Sequence, residues 1–242
     1  MKRIYLFILF VLGGFSLFAA EPFRHFTTDQ GLPTNNVIAF TQDQQGFMWV
    51  GTIQGVSRFD GKRFRTYMYE PDGVRHDFVA CLLTDKAGNL WEGNPRGVLK
   101  YNPKRDRFEH LYWKGGLLGH IFALREDLKG GLWIGGDQGL FYKDGKGEVS
   151  KFKGALAGKH VRALYVDKND ILWVGTEGGI NRIEKGRVRT FLPFPQGAKH
   201  DNWISALEAD TSGDIWVGMH GKGLAKLSPE SGGFSFDIPV AH

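Results

Sequence analysis

Five times along the chain, a short apolar segment, a polar turn and a second apolar segment follow one another at nearly constant spacing. The first segments are Val37-Ile38-Ala39-Phe40, Val79-Ala80-Cys81-Leu82, Ile121-Phe122-Ala123-Leu124, Val161-Arg162-Ala163-Leu164 and Ile204-Ser205-Ala206-Leu207. Each begins with a β-branched residue, has a small residue third and ends on Leu or Phe. Apolar runs this short, bounded by turn residues, predict β-strands. The recurring small residue predicts a crowded place for the first strand. The turns open on Asp43, Asp85, Asp127, Asp167 and Asp210, and three residues later come Gly46, Gly88, Gly130, Asp170 and Gly213. Asp accepts backbone N–H groups within such a turn, and Gly takes the positive φ near its end. Asp170 stands where the other copies have Gly, and Asp tolerates the left-handed region better than most residues.

The second strand carries Trp-x-Gly: Trp49/Gly51, Trp91/Gly93, Trp133/Gly135, Trp173/Gly175 and Trp216/Gly218. Side chains alternate along a strand, so Trp and Gly share one face. That predicts a Trp packed between neighbouring units, with Gly leaving room for another chain. A loop ending in Gly55, Gly97, Gly139, Gly179 or Gly223 leads to a third strand, Val56-Ser57-Arg58-Phe59 and its equivalents. Asp60-Gly61, Asp144-Gly145 and Lys185-Gly186 read as hairpin turns. The fourth strands are Phe64 to Tyr67, Phe108 to Leu111, Val149 to Phe152, Val188 to Phe191 and Phe234 to Asp237.

Four antiparallel strands recurring every 40 to 43 residues make a propeller blade. The fold class is therefore all-β, a β-propeller with blades at about 35–69, 77–112, 119–153, 159–192 and 202–238 within a domain spanning 21–242. Residues 23–26 read as one strand more, of the kind that completes the last blade of a full ring. Five blades plus that strand predict an incomplete seven-bladed propeller, from a truncated gene, a fragment or a chain completed by a partner. A closed five-bladed ring is the alternative.

Composition adds little to the fold but narrows the setting. Charged residues are 24% of the 242, and the formal net charge is +5, ordinary for a soluble protein. No basic run suggests nucleic acid as a partner. Residues 1–20 join Lys2-Arg3 to an apolar stretch from Ile4 to Phe18 and then Ala19-Ala20. This is the form of a secretory signal, with an uncleaved membrane anchor as the rival, and it predicts a periplasmic or otherwise extracytoplasmic protein. Cys81 is the single cysteine, so no intramolecular disulfide is possible. It occupies the small third position of the first strand, where a thiol serves as a small apolar group.

The stretches Phe23 to Val37, Asp43 to Thr52 and Gly55 to Gly61 resemble the two-component regulator propeller repeat. Leu172 to Arg182 is also very close, whereas the second copy departs, with Glu92 and Asn94-Pro95 inside the motif. The resemblance extends over essentially all of the chain beyond the leader. It implies an extracytoplasmic ligand sensor built from seven-bladed propellers, often two in tandem. In such receptors these precede a small β-sandwich, a membrane helix and a histidine kinase or diguanylate cyclase output module. A well-known branch senses breakdown products of polysaccharides.

Propellers usually bind at one end of the central channel. The loops entering each first strand bring Arg75, His76, Trp113, His120, His160, His200 and Trp203 there. The loops between second and third strands bring Arg96, Asp137, Glu177 and His220. Trp113 and Trp203 are the tryptophans outside the repeat motif, and an aromatic platform beside basic groups would suit a sugar, including an acidic one. The five repeat aspartates lie at separate hairpins and are read as turn caps. No histidine spacing suits a metal, and no cofactor is expected. The partners expected are a small-molecule or glycan ligand, further propeller repeats or a homodimer partner. A membrane enters only through a parent receptor or an uncleaved leader. No catalytic set converges in the sequence, so the chain itself is read as non-enzymatic. A stand-alone protein-interaction scaffold is the alternative function, and a propeller lyase or hydrolase is a further one.

Overall fold

The computed structural model describes residues 24–68, 78–114 and 116–236. The expected leader, Phe23, Arg75 and His76 lie outside the described residues. Among the described residues, twenty strands form five antiparallel sheets, each of four strands in chain order. Blade 1 is β1 (Val37–Gln42), β2 (Met48–Thr52), β3 (Gly55–Phe59) and β4 (Phe64–Tyr67). Blade 2 is β5 (Cys81–Thr84), β6 (Leu90–Asn94), β7 (Gly97–Asn102) and β8 (Arg107–Leu111). Blade 3 is β9 (Ile121–Glu126), β10 (Leu132–Gly136), β11 (Gly139–Lys143) and β12 (Val149–Lys151). Blade 4 is β13 (Val161–Val166), β14 (Leu172–Thr176), β15 (Gly179–Glu184) and β16 (Arg187–Phe191). Blade 5 is β17 (Ile204–Ala209), β18 (Ile215–Met219), β19 (Gly223–Leu227) and β20 (Phe234–Ser235). Arg24 to Phe26 pair with no sheet; instead the Phe26 ring packs edge-on against Phe59 and Phe64 of blade 1.

The core lies between the blades rather than within them. Trp49 and Val56 of blade 1 join Val79, Leu90, Leu99 and Phe108 of blade 2 in one buried cluster. Trp91 does the same against blade 3, and Trp173 against blade 5. The reason for the glycine two residues after each Trp is at these seams. A Cβ on Gly51 would fall 2.5 Å from Val79 Cγ1, and one on Gly175 would fall 2.7 Å from Ile204 Cγ2. The first residue of each inner strand therefore seats on the glycine of the preceding blade, and only a bare backbone admits it.

Each repeat Asp does more than cap its turn. Asp43 Oδ1 accepts the backbone N–H groups of Gln45 and Phe47, while Oδ2 accepts Trp49 Nε1–H at 2.7 Å. Asp85, Asp167 and Asp210 hold Trp91, Trp173 and Trp216 in the same way. The six-residue spacing thus ties the turn to the seam. Blade 3 differs: Asp127 Oδ2 accepts the Tyr142 hydroxyl at 2.7 Å, and the Trp133 ring packs at a tilt of 45° against the Tyr142 ring. Asp170 adopts φ 62°, the left-handed turn position expected of it. In blade 2, Glu92 is buried where the other copies have Val50, Ile134, Val174 or Val217, and Asn94 Nδ2 donates to its Oε1 at 3.1 Å.

The inner strands pack in the succession β1, β5, β9, β13, β17. Val79, Ile121, Val161 and Ile204 are 0% exposed, but Val37 is 45% exposed and Phe40 72%. At the other end, the nearest atoms to a Cβ on Gly218 all belong to its own blade. The five blades therefore form an arc whose first and last faces do not cover one another.

Candidate functional site

Four of the five inner strands carry a β-bulge at their second residue. The pairing register slips between Val37 and Ala39, between Ile121 and Ala123, between Val161 and Ala163, and between Ile204 and Ala206. The extra residues, Ile38, Phe122, Arg162 and Ser205, are left out of the ladder. A bulge re-aims its side chain, and here it points residues of adjacent blades toward the same end of the concave side.

There the rings and one cation form a column. The His120 ring lies 4.4 Å from Phe122, and the Arg162 guanidinium carbon is 3.8 Å from the Phe122 centroid. The same carbon is 5.2 Å from the Trp203 centroid, and Trp203 stacks on His220 at 4.8 Å and 25°. Phe78 of the loop entering blade 2 meets His120 edge-on at 6.1 Å. The column runs from blade 2 to blade 5. Burial pushes the His120 imidazole below the usual histidine range, Asp137 opposes this, and the Arg162 charge adds to it. His120 Nε2 and Arg162 Nε are buried without a hydrogen-bond partner, unusual for buried polar atoms.

The acidic candidates at this end serve as clasps. Asp137 Oδ1 accepts the His120 backbone N–H at 3.1 Å. Glu177 accepts the N–H groups of Lys159 and His160 at 2.9 and 2.8 Å. Burial works to raise the Glu177 carboxyl, but these N–H groups, its own N–H and the His160 charge hold it below the usual range. Asp201 accepts the Ala198 N–H and pairs with Lys222 Nζ at 2.9 Å. These carboxylates fix the loops that enter the inner strands.

Of the residues singled out in the sequence, the structure brings together His120, Trp203 and His220. His160 is tethered 3.6 Å from Glu177, and His200 is exposed beside Asp201. Arg96 donates its backbone N–H to Asn94 in the blade 2 loop. Trp113 does not form a platform with Trp203. It packs edge-on against Phe141 at 5.0 Å, in the seam between blades 2 and 3. Trp203 is itself flanked by His220 and Arg162, so the expected pair of open aromatic faces is absent. Phe122 and Arg162 escaped the sequence argument. The available sign was that the second position varies in every copy (Ile38, Ala80, Phe122, Arg162, Ser205) while its neighbours repeat. Among the described residues, no group of three or more His, Cys, Asp or Glu could hold a metal ion.

The five four-stranded antiparallel sheets define a β-propeller. The two component regulator propeller family matches residues 31–54 and 155–178, two stretches that carry its repeat. Over 50 residues it is 42% identical to histidine kinase P4 of Formosa agariphila, an alignment covering 21% of this chain and 4% of that protein. The fold is similar to the extracellular domain of a hybrid two component system, BT3049 of B. thetaiotaomicron, with a TM-score of 0.75. Identity there is 25%, over 88% of this chain and 31% of that one. The extracellular domain of a one component system from the same organism, BT4673, shares the fold with a TM-score of 0.67. Identity there is 19%, over 80% of this chain and 27% of that one. The chain thus spans less than a third of the length of these proteins. These solved relatives are extracellular domains. Among the described residues, no helix is long and apolar enough to cross a membrane.

Proposed function

We propose that this chain is the ligand-sensing propeller region of an exported signalling receptor. It takes a small polar ligand, a saccharide, at the bulged end of the channel between blades 3 and 5. The region is non-catalytic in this proposal, and occupancy is relayed to a histidine kinase or diguanylate cyclase module. The observation that carries the proposal is the pair of buried side-chain nitrogens left without hydrogen-bond partners, Arg162 Nε and His120 Nε2. They sit at a rim where the neighbouring carboxylates are all engaged in holding loops. The likeness to extracellular domains of signalling systems supports the sensor role and the extracytoplasmic setting.

The test is a thermal-denaturation screen of the purified chain against neutral and acidic mono- and oligosaccharides. A ligand that binds only the folded state at a hundred times its Kd adds about 2.7 kcal/mol. For a domain of this size that corresponds to a Tm rise of about 5–10 °C. His120→Ala and His220→Ala should each reduce the rise. If no saccharide shifts the Tm while a periplasmic protein is captured stoichiometrically, the scaffold role replaces the sensor.

A further inference from the structure

We infer that Arg162 is the anchor for a carboxylate, so that the ligand taken at the channel end is an acidic saccharide. This rests on the ligand-binding proposal above and names the chemistry of the same site.

Four observations lead there. First, Arg162 is the bulge residue of β13, aimed out of the ladder toward the channel end while the residues on either side, Val161 and Ala163, are buried in the seams. Second, Phe122 and Trp203 flank its guanidinium. A guanidinium held by aromatic neighbours keeps a fixed plane and directs its N–H groups edgewise. Third, no described residue accepts a hydrogen bond from it or pairs with it. The other cations along this concave side are engaged: Lys222 with Asp201, and Arg125 with Glu208 at 3.9 Å. Fourth, among its nitrogens Nε alone is closed off without a partner, which leaves the Nη edge of a half-buried side chain open to solvent.

A planar fork of two parallel N–H donors matches the two oxygens of a carboxylate. Its fixed orientation lowers the ordering cost of binding. Asp137, Glu177 and Asp201 do not compete for it, because backbone N–H groups and Lys222 hold them elsewhere. A role for Arg162 as nothing more than a staple between Phe122 and Trp203 makes a different prediction. Removing it would then lower stability without altering preference among ligands.

Calorimetric titration of the whole chain with glucuronate, glucose and glucose 6-phosphate distinguishes these cases. Glucuronate should bind at least tenfold more tightly than glucose. Arg162→Gln should abolish that preference, so that the variant binds glucuronate no more tightly than it binds glucose. Arg162→Lys, which keeps the charge and the column but not the fork, should retain only part of it. The Lys variant keeps the test open if the Gln variant unfolds. Equal binding of glucuronate and glucose, or a preference that survives in Arg162→Gln, would overturn the assignment while leaving the saccharide site standing. A stronger preference for glucose 6-phosphate would overturn the carboxylate in favour of a tetrahedral anion. If neither neutral nor acidic sugars bind, the saccharide site falls together with the anchor.

Discussion

Cys81 shows how one residue type is set by its place in the repeat. The sequence placed it where the other copies have Ala, and the structure puts its Sγ against the bare face of Gly93. Burial pushes the thiol up to about 12, against a backbone hydrogen bond to Gly93. A raised acid pKa means that the folded chain keeps a proton that the unfolded chain loses. The associated stability is complete below pH 9.0, the ordinary thiol value, and is lost as pH rises toward the folded value. The slope is up to about 1.4 kcal/mol per pH unit. Cys81→Ala should cost about 1 kcal/mol or less at pH 7 and should remove that slope between pH 9 and 11. Urea denaturation across this range would show it. An unchanged slope in the variant would mean that the thiol is not the group responsible.

At the scale of the strand, the Trp-x-Gly motif and the first residue of the next inner strand form one joint. A Cβ on Gly135 would collide with Val161 of the following blade, whereas one on Gly218 meets only its own Ala206 at 3.1 Å and Ser205 at 3.4 Å. Gly135→Ala should therefore destabilise by about 3 kcal/mol through overpacking of the seam. Gly218→Ala should cost less than about 1 kcal/mol. Equal losses at the two sites, in parallel chemical denaturation, would show that the glycine is required by strand geometry rather than by the neighbouring blade. Trp49, Trp91 and Trp173 are buried in seams, while Trp133 and Trp216 are half-buried.

Over the whole molecule, the described residues make five blades and four seams, and no described blade covers the face of blade 1 turned away from blade 2. Val37 and Phe40 are exposed there, on a strand built to carry apolar residues at those positions. A contiguous exposed apolar face attracts partners or drives association. Phe40→Lys should lower binding of a hydrophobic dye and reduce self-association in sedimentation. It should change unfolding free energy by no more than about 0.5 kcal/mol, since little packing is removed. A large stability loss would show that the face is covered in solution.

By itself the sequence determined the strands, their order within a blade and the turns. These rest on interactions between residues close in the chain, such as a capping Asp, a left-handed turn residue and a two-residue alternation. It also indicated the need for glycine after Trp, although the partner that requires it, Val79 for Gly51, lies in the next blade. It did not show that Asp43, Asp85, Asp167 and Asp210 also hold their Trp, because a six-residue spacing does not reveal where an indole N–H points. Tertiary structure alone decided which loop residues meet. Trp113 and Trp203 look alike in sequence, yet one closes a seam and the other joins the channel column. Arg162 became a candidate only through the bulge that turns it outward and the rings of Phe122 and Trp203 that flank it. Those contacts join residues about 40 positions apart through the stacking of blades, a distance over which local pattern carries no direction.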